Sequence, residues 1–302
     1  MSNLLFIILL LFASLALLNC SSPTSQNLNT ETKSESSLQQ PLNTEVKIEI
    51  VQSTPTTELP EQQKVDFKGV SFSYNPQIFG KVKSETIAEQ PLKNETDKPD
   101  YVEPQHRLFT FDLSTPYNDM SIAVYPIDDF PRMYAINKSS AEASKKYNDY
   151  LRRVLKDNNF RVENQIPFLP FRDAGQTFQV KVKHFNFQNG RGILFLTFWE
   201  TQLELPTNRQ LRYVFEGLSN DGKYYVLGEM PISVAFLPED SSDEYEGYKI
   251  PSGKDFDAET VFEQIADANK KVANRLETLP QNEFNPNPKY FEEIISSLKV
   301  KE

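Results

Sequence analysis

The first hydrophobic block along the chain is unbroken rather than periodic: Leu4 to Leu18 is apolar except for Ser14 and closes on Leu17-Leu18-Asn19-Cys20. A run of this length is too short to cross a bilayer comfortably. The polar residues that follow at once give residues 1–19 the profile of a cleaved export signal. From Ser21 to about Gln63 the chain is dominated by Ser, Thr, Asn, Gln, Pro and Glu, with no aromatic residue between Phe12 and Phe67. Such a composition buries too little apolar surface to offset the entropy of ordering, so residues 20–64 are expected to form a disordered tether. Within it, Val46, Ile48, Ile50 and Val51 alternate with charged residues in a short strand-like patch. Sustained periodicity begins after this stretch, which assigns residues 65–302 to a folded domain long enough for a substantial core.

In that domain, Val70, Phe72 and Tyr74 alternate with Gly69, Ser71 and Ser73, predicting a strand that Asn75-Pro76 ends. After a polar stretch from Ser84 to Pro104, the period of two returns at Leu108–Leu113 and Ser121–Tyr125. These predict two adjacent antiparallel strands joined through Thr115–Asp119. Ser139 is placed to cap a helix, with Glu142 reaching back to the cap amide. Ala143, Tyr147, Tyr150, Leu151, Val154 and Leu155 follow at helical spacing, and Asn158-Asn159 marks the stop. From Gln176 to Glu229 the pattern predicts four consecutive strands. Phe178, Val180 and Val182 alternate with polar residues and lead to a turn at Asn189-Gly190. The nearly all-apolar return, Ile193–Trp199, reads as a strand covered on both faces, and a second hairpin turns at Asn220-Asp221-Gly222. Asp257 then caps a helix with Val261, Ile265, Ala268, Val272 and Leu276 on one stripe, and a short closing helix carries Tyr290, Phe291, Ile294, Ile295 and Leu298.

This order predicts the α+β class, with an antiparallel sheet of about six to seven strands flanked by helices. Together with Gly69-Val70-Ser71-Phe72-Ser73-Tyr74-Asn75-Pro76 at the start and the Phe291–Val300 segment at the end, it resembles the Mog1/PsbP-like sandwich over most of residues 67–300. That resemblance implies a binding protein rather than an enzyme and carries over no site residue. The run from Phe168 through Gly190 to Glu200 also resembles exported bacterial proteins, which implies no activity.

Leu17-Leu18-Asn19-Cys20 resembles the lipobox of bacterial lipoproteins, although Met1-Ser2-Asn3 lacks a basic residue and Asn19 stands where a smaller residue is commoner. The resemblance implies cleavage before Cys20 and acylation (diacylglycerol, palmitate-type chains) of its thiol and amine. Two or three acyl chains, at about 0.8 kcal/mol per buried methylene, hold a protein stably on a membrane. The chain is then a lipid-anchored protein of the cell envelope. Where the cell has an outer membrane it faces the periplasm there, since Ser21 and Ser22 rather than Asp follow the cysteine. As a flexible coil the tether would reach roughly 35–40 Å.

Charge and composition narrow the chemistry. With 42 acidic against 32 basic residues the net charge is −10, which argues against a nucleic-acid partner and against electrostatic adhesion to anionic lipid. Cys20 is the only cysteine, so acylation would remove the only thiol. The two histidines, His106 and His184, form no metal-ligand spacing; His106 is expected at the surface, and His184 on a strand facing helices or solvent. No Gly-x-Ser-x-Gly turn is present, and Gly190-Arg191-Gly192 reads as hairpin rather than phosphate loop. The acidic run Glu239–Glu246 has the oxygens for calcium but no EF-hand glycine, and reads as a solvated turn. No catalytic residue, metal or cofactor is therefore assigned.

One segment invites a partner. Pro167-Phe168-Leu169-Pro170-Phe171 is barred from regular helix by its prolines. It either plugs the edge of the core or presents Phe168, Leu169 and Phe171, with Trp199, Arg191 and Arg209 as expected neighbours, as a docking patch or the lip of a ligand groove. The expected function is a non-enzymatic binding or assembly module for an envelope protein. The alternative is an envelope hydrolase using carboxylates in a sheet-edge groove.

Overall fold

Strand β1 (Gln63–Phe67) opens the folded region two residues before the boundary read from composition, and Lys68-Gly69 turns it into β2 (Val70–Tyr74). In this computed structural model the residues described are 62–97, 102–113, 120–156, 166–200, 204–239, 244–250 and 257–301. The export signal, Cys20, the tether and the Val46–Val51 patch lie outside them. The Asn75 side chain accepts from the Gln77 amide and starts the single-turn helix α1 (Pro76–Phe79).

Strands β3 (Val82–Ile87), β4 (His106–Phe111) and β5 (Met120–Pro126) follow, then α2 (Phe130–Met133) and α3 (Lys138–Lys156). Four long strands come next: β6 (Gly175–Phe187), β7 (Gly190–Glu200), β8 (Leu211–Ser219) and β9 (Tyr224–Pro231). Two-residue strands β10 (Ser233–Val234), β11 (Glu244–Tyr245) and β12 (Tyr248–Lys249) lead to α4 (Ala258–Thr278). Strand β13 (Phe284–Asn285), α5 (Pro288–Ser297) and β14 (Lys299–Val300) close the chain. No helix among the described residues is long and apolar enough to cross a membrane.

The α+β class and the antiparallel sheet of seven strands hold, with the order β3-β4-β5-β9-β8-β7-β6. Its membership differs from the sequence reading in one respect. The opening strand β2 leaves the large sheet and pairs between β1 and β14 in a separate three-stranded sheet. Its place at the edge is taken by β3, inside a stretch read as polar. Only Val82 and Ile87 bracket it, and an edge strand is held largely by its ladder to β4.

Helix α4 buries Val261, Ile265, Ala268, Val272 and Leu276, capped by Asp257 through the Thr260 amide, as predicted. Helix α3 differs in cap and in face. Asn137, not Ser139, accepts the free amide, from Ser140 at 3.0 Å. The buried stripe is Ser144, Asn148, Leu151 and Leu155, while Tyr147 is exposed and Ala143 and Tyr150 are half-buried. The stripe rotates because the Asn148 amide donates to the Ile127 carbonyl at 2.8 Å, bringing a polar residue inward. Residues 158 and 159 lie outside the described residues, as does the side chain of Val154.

The first long hairpin turns on Gln188-Asn189, one residue earlier than predicted, with Phe187 paired to Gly190. Asn189 is held by its side chain, which accepts from the Val300 amide at 2.9 Å. Gly190 serves as a place of close approach instead: a Cβ there would lie 1.9 Å from the Phe187 ring. The second hairpin turns at Asn220-Asp221-Gly222 as predicted, with Gly222 at φ +74° and its carbonyl held by Arg152 at 2.6 Å.

Candidate functional site

The two faces of the large sheet separate along β8. Leu211, Tyr213 and Phe215 point to the layer of α4, α5 and β2, while Arg212, Val214, Glu216 and Leu218 point to the layer of α3 and the Ile166–Arg172 connection. Neighbouring β9 sends Tyr225, Leu227 and Glu229 to this second face, and β5 adds Tyr125. Glu216 is opposite Leu227 and Glu229 opposite Val214, so the two glutamates are diagonal neighbours on adjacent strands, about 7–8 Å apart by sheet geometry.

Glu216 is wholly buried, and neither carboxyl oxygen has a hydrogen-bond partner among the described residues. Burial pushes its carboxyl well above the ordinary range and the charge of Glu229 pushes it further. Arg172 opposes the rise, as does the nearby Tyr225 hydroxyl. Glu229 is paired with Arg172, whose Nη2 donates to Oε2 at 2.5 Å. The same guanidinium lies 4.8 Å from the centre of the Trp199 ring, and Phe168 packs T-shaped against that ring with centroids 4.7 Å apart. Burial opposes the charge of Arg172, yet Glu229 outweighs it and raises the guanidinium pKa.

Two tyrosines complete the constellation. The Tyr125 hydroxyl donates to Glu103 at 3.4 Å, and the Tyr225 hydroxyl is buried beside the Leu169 backbone. Burial pushes both phenols well up, Glu103 adding to the rise at Tyr125 and Glu216 to that at Tyr225, so both stay neutral donors. Arg212 turns its guanidinium back to the Arg209 and Leu211 carbonyls, at 2.9 and 2.8 Å. Burial lowers its pKa. The site therefore holds two carboxyls and two phenols around one directly paired cation.

The segment singled out in the sequence forms the roof of this site. Leu169 is fully buried, Trp199 is buried, and Phe168 and Phe171 are half-buried, the last packed on Tyr134 at 5.0 Å and Tyr147 at 5.3 Å. The cation over Trp199 is Arg172. Arg191 stands at the far end of β7, eight residues away, or roughly 26 Å of extended strand, and Arg209 is exposed. His106 is a correction: it is buried, not exposed, with Nδ1 2.9 Å from the Pro104 carbonyl and its ring 4.4 Å from that of Tyr125. It begins β4 in register with Ile87, which carries it inside. His184 is exposed on β6.

A second acidic group lies at the end of β7. The Glu204 amide donates to Glu200 at 3.3 Å, and Gln210 donates to Glu204 at 2.6 Å. Burial, with the charge of Glu204 adding, pushes the Glu200 carboxyl up to about 7. Of the acidic run, residues 240–243 lie outside the described residues. Glu244 and Tyr245 belong to a two-strand hairpin whose turn residue Glu246 pairs with Arg275 at 3.3 Å. Among the described residues no group of three or more His, Cys, Asp or Glu side chains is gathered as a metal site would need.

Glu216, Glu229, Tyr225 and Arg172 were not picked out from sequence. The one available signal was a glutamate between Val214 and Leu218 on the same face of a strand, where alternation demands an apolar residue. Comparison with protein-family models, with curated proteins and with solved structures finds no match.

Proposed function

We propose that the chain is a lipid-anchored lipoprotein of the cell envelope whose α+β domain, of Mog1/PsbP-like kind, is a non-enzymatic binding or assembly module for an envelope protein. The observation that carries this reading is the apolar run Leu4–Leu18 ending on the only cysteine, Cys20, followed by a polar stretch before the first aromatic residue of the domain. The antiparallel sheet with helices on both faces is compatible with that fold kinship. The Phe168, Leu169, Phe171 and Trp199 segment remains the proposed contact, acting through the half-buried rings of Phe168 and Phe171.

The competing reading, an envelope hydrolase, has a specific pair in its favour. Glu216 and Glu229 are neighbouring carboxyls in unlike surroundings, the first pushed up by burial and the second paired with Arg172, and an acid and a base require such a difference. They lie on inner strands beneath packed cover, however, rather than in an edge groove. The binding reading is favoured on that ground.

Intact-mass analysis of membrane-extracted protein tests the anchor. Loss of residues 1–19 with added acyl mass is expected, and Cys20→Ala should leave the signal uncut or release the domain; an unmodified full-length chain in the membrane would overturn it. Crosslinking and pulldown of the anchored protein from detergent-solubilised membranes tests the module. A stoichiometric partner lost in Phe168→Ala/Phe171→Ala supports it, and turnover of an envelope polymer abolished by Glu229→Gln would replace it with the hydrolase.

A further inference from the structure

Glu216 is the least explained group in the described structure. An ionised carboxylate held away from water without hydrogen bonds is strongly unfavourable, so a carboxyl in that position keeps its proton. The groups facing it relieve this only in part. From β9 come the carboxyl of Glu229 and the phenol of Tyr225, from β5 the phenol of Tyr125, and from its own strand Arg212, whose Nη1 donates to two backbone carbonyls. Helix α3 covers the face with Leu151 and Leu155 and turns Arg152 away to Asp128 at 2.6 Å. Arg172, from the connection, is already bound to Glu229. Of the two arginines on this face, Arg172 is the one bonded to a carboxyl, and that carboxyl is Glu229 rather than Glu216.

The layers around Glu216 differ in how readily they can yield. Strand β8 is paired along its length to β7 and β9, and α3 is a 19-residue helix. The Ile166–Arg172 connection has neither helix nor ladder. It is held by side chains: Ile166 and Leu169 in the core, Phe168 on Trp199, and Arg172 on Glu229. It is also within reach of water, since the Arg172 side chain is 28% exposed and that of the Glu229 it holds 17%. Segments with few backbone hydrogen bonds open locally at lower free energy than the sheet beneath them.

We infer that the Ile166–Arg172 connection is a proton-controlled cover: it stays closed over the sheet while Glu216 carries its proton, and lifts to admit water when Glu216 releases that proton to solvent. The closed state binds the proton more tightly than the open one. Closure is therefore complete at acidic pH and is lost as pH rises above the ordinary carboxylate range towards the raised value of the buried group. This inference does not require the anchor or a partner, although it concerns the segment proposed above as the contact.

The chain contains a built-in reporter, since Trp199, its only tryptophan, is the ring that Phe168 covers. The test uses the full chain in detergent. Trp199 emission and amide hydrogen exchange are followed from about pH 5 to about pH 9, with exchange corrected for its intrinsic pH dependence, a range that spans documented values for buried glutamates. Expected are a red shift of emission and an increase of about tenfold or more in exchange at residues 166, 168, 169, 171 and 172, with β8 amides unchanged. In Glu216→Gln both readouts should stay at their acidic values throughout. A wild-type response that is flat, that persists in Glu216→Gln, or that involves β8 equally would overturn the inference. Should Glu216→Gln fail to fold, Glu216→Leu, which packs without a proton to lose, gives the same comparison.

Discussion

The two faces of the seven-stranded sheet are built to different rules. Towards α4, α5 and β2 the sheet presents Met120, Ile122, Val124, Leu194, Leu196, Phe215, Val226 and Met230, met by Phe291, Ile294, Ile295 and the stripe of α4. Contact there is close enough that a Cβ on Gly228 would lie 2.9 Å from the Phe291 ring. Towards α3 the same strands mix Ile193, Phe195 and Leu227 with Glu216, Glu229, Tyr125 and Tyr225, covered in part by an irregular connection. An apolar interface gains stability from every residue that closes on it. A polar one gains only where each group finds a partner, and Glu216 finds none. The first face holds the domain together and the second gives it a place to respond.

Truncation on the apolar face should produce the largest effect. Phe215→Ala is expected to remove about 3–5 kcal/mol from the unfolding free energy measured in urea, the usual range for a buried aromatic. On the polar face, Arg172→Met should cost about 2–4 kcal/mol at neutral pH, because it leaves Glu229 without its cation. A double-mutant cycle with Glu229→Gln should show coupling between the two residues; no coupling would mean that Arg172 acts through its contact with Trp199 alone.

A smaller effect should come from Glu200 at the end of β7. Its carboxyl is raised in the folded chain to about 7. The stability it permits is therefore fully present below the ordinary carboxylate value and is lost as pH rises towards about 7. Glu200→Gln should abolish that decline and raise stability above neutral pH by about 2 kcal/mol, allowing for partial exposure. The smallest effect tests how α3 is set on the polar face: Asn137→Ala should cost about 1 kcal/mol as a lost cap, and Ser139→Ala close to nothing. The reverse order would restore the cap read from the sequence.

Much of the fold was legible because it is written in local periods. The alternations of β2, β4 and β5, the strands β7–β9, the stripe of α4 and the α5 core positions reappear where the pattern placed them, whereas β6 departs from its alternation at Val182, which is exposed beside a register shift after Val180. What was lost is instructive. Strand β3 is polar and short, and gains its order from β4. Strand β2 has the right pattern but a different sheet, since alternation marks a face without naming the strand it pairs with. The stripe of α3 rotated around Asn148, whose hydrogen bond to Ile127 joins residues 21 apart in sequence. His106 was expected outside and lies within, because its exposure depends on the loop that precedes it.

The candidate site was less legible than the fold. Pro167–Phe171 and Trp199 were picked out by their composition, and the structure brings Phe168 onto Trp199. The carboxyls beneath them come from two strands whose register is a tertiary fact. By itself the sequence determined the α+β class, most element positions and the presence of an apolar run ending at a lone Cys20, since each depends on neighbours along the chain. Only the tertiary structure decided that Glu216 and Glu229 share one face with a single arginine above them. Burial and pairing of charge depend on what the rest of the chain folds against, and no local period records that.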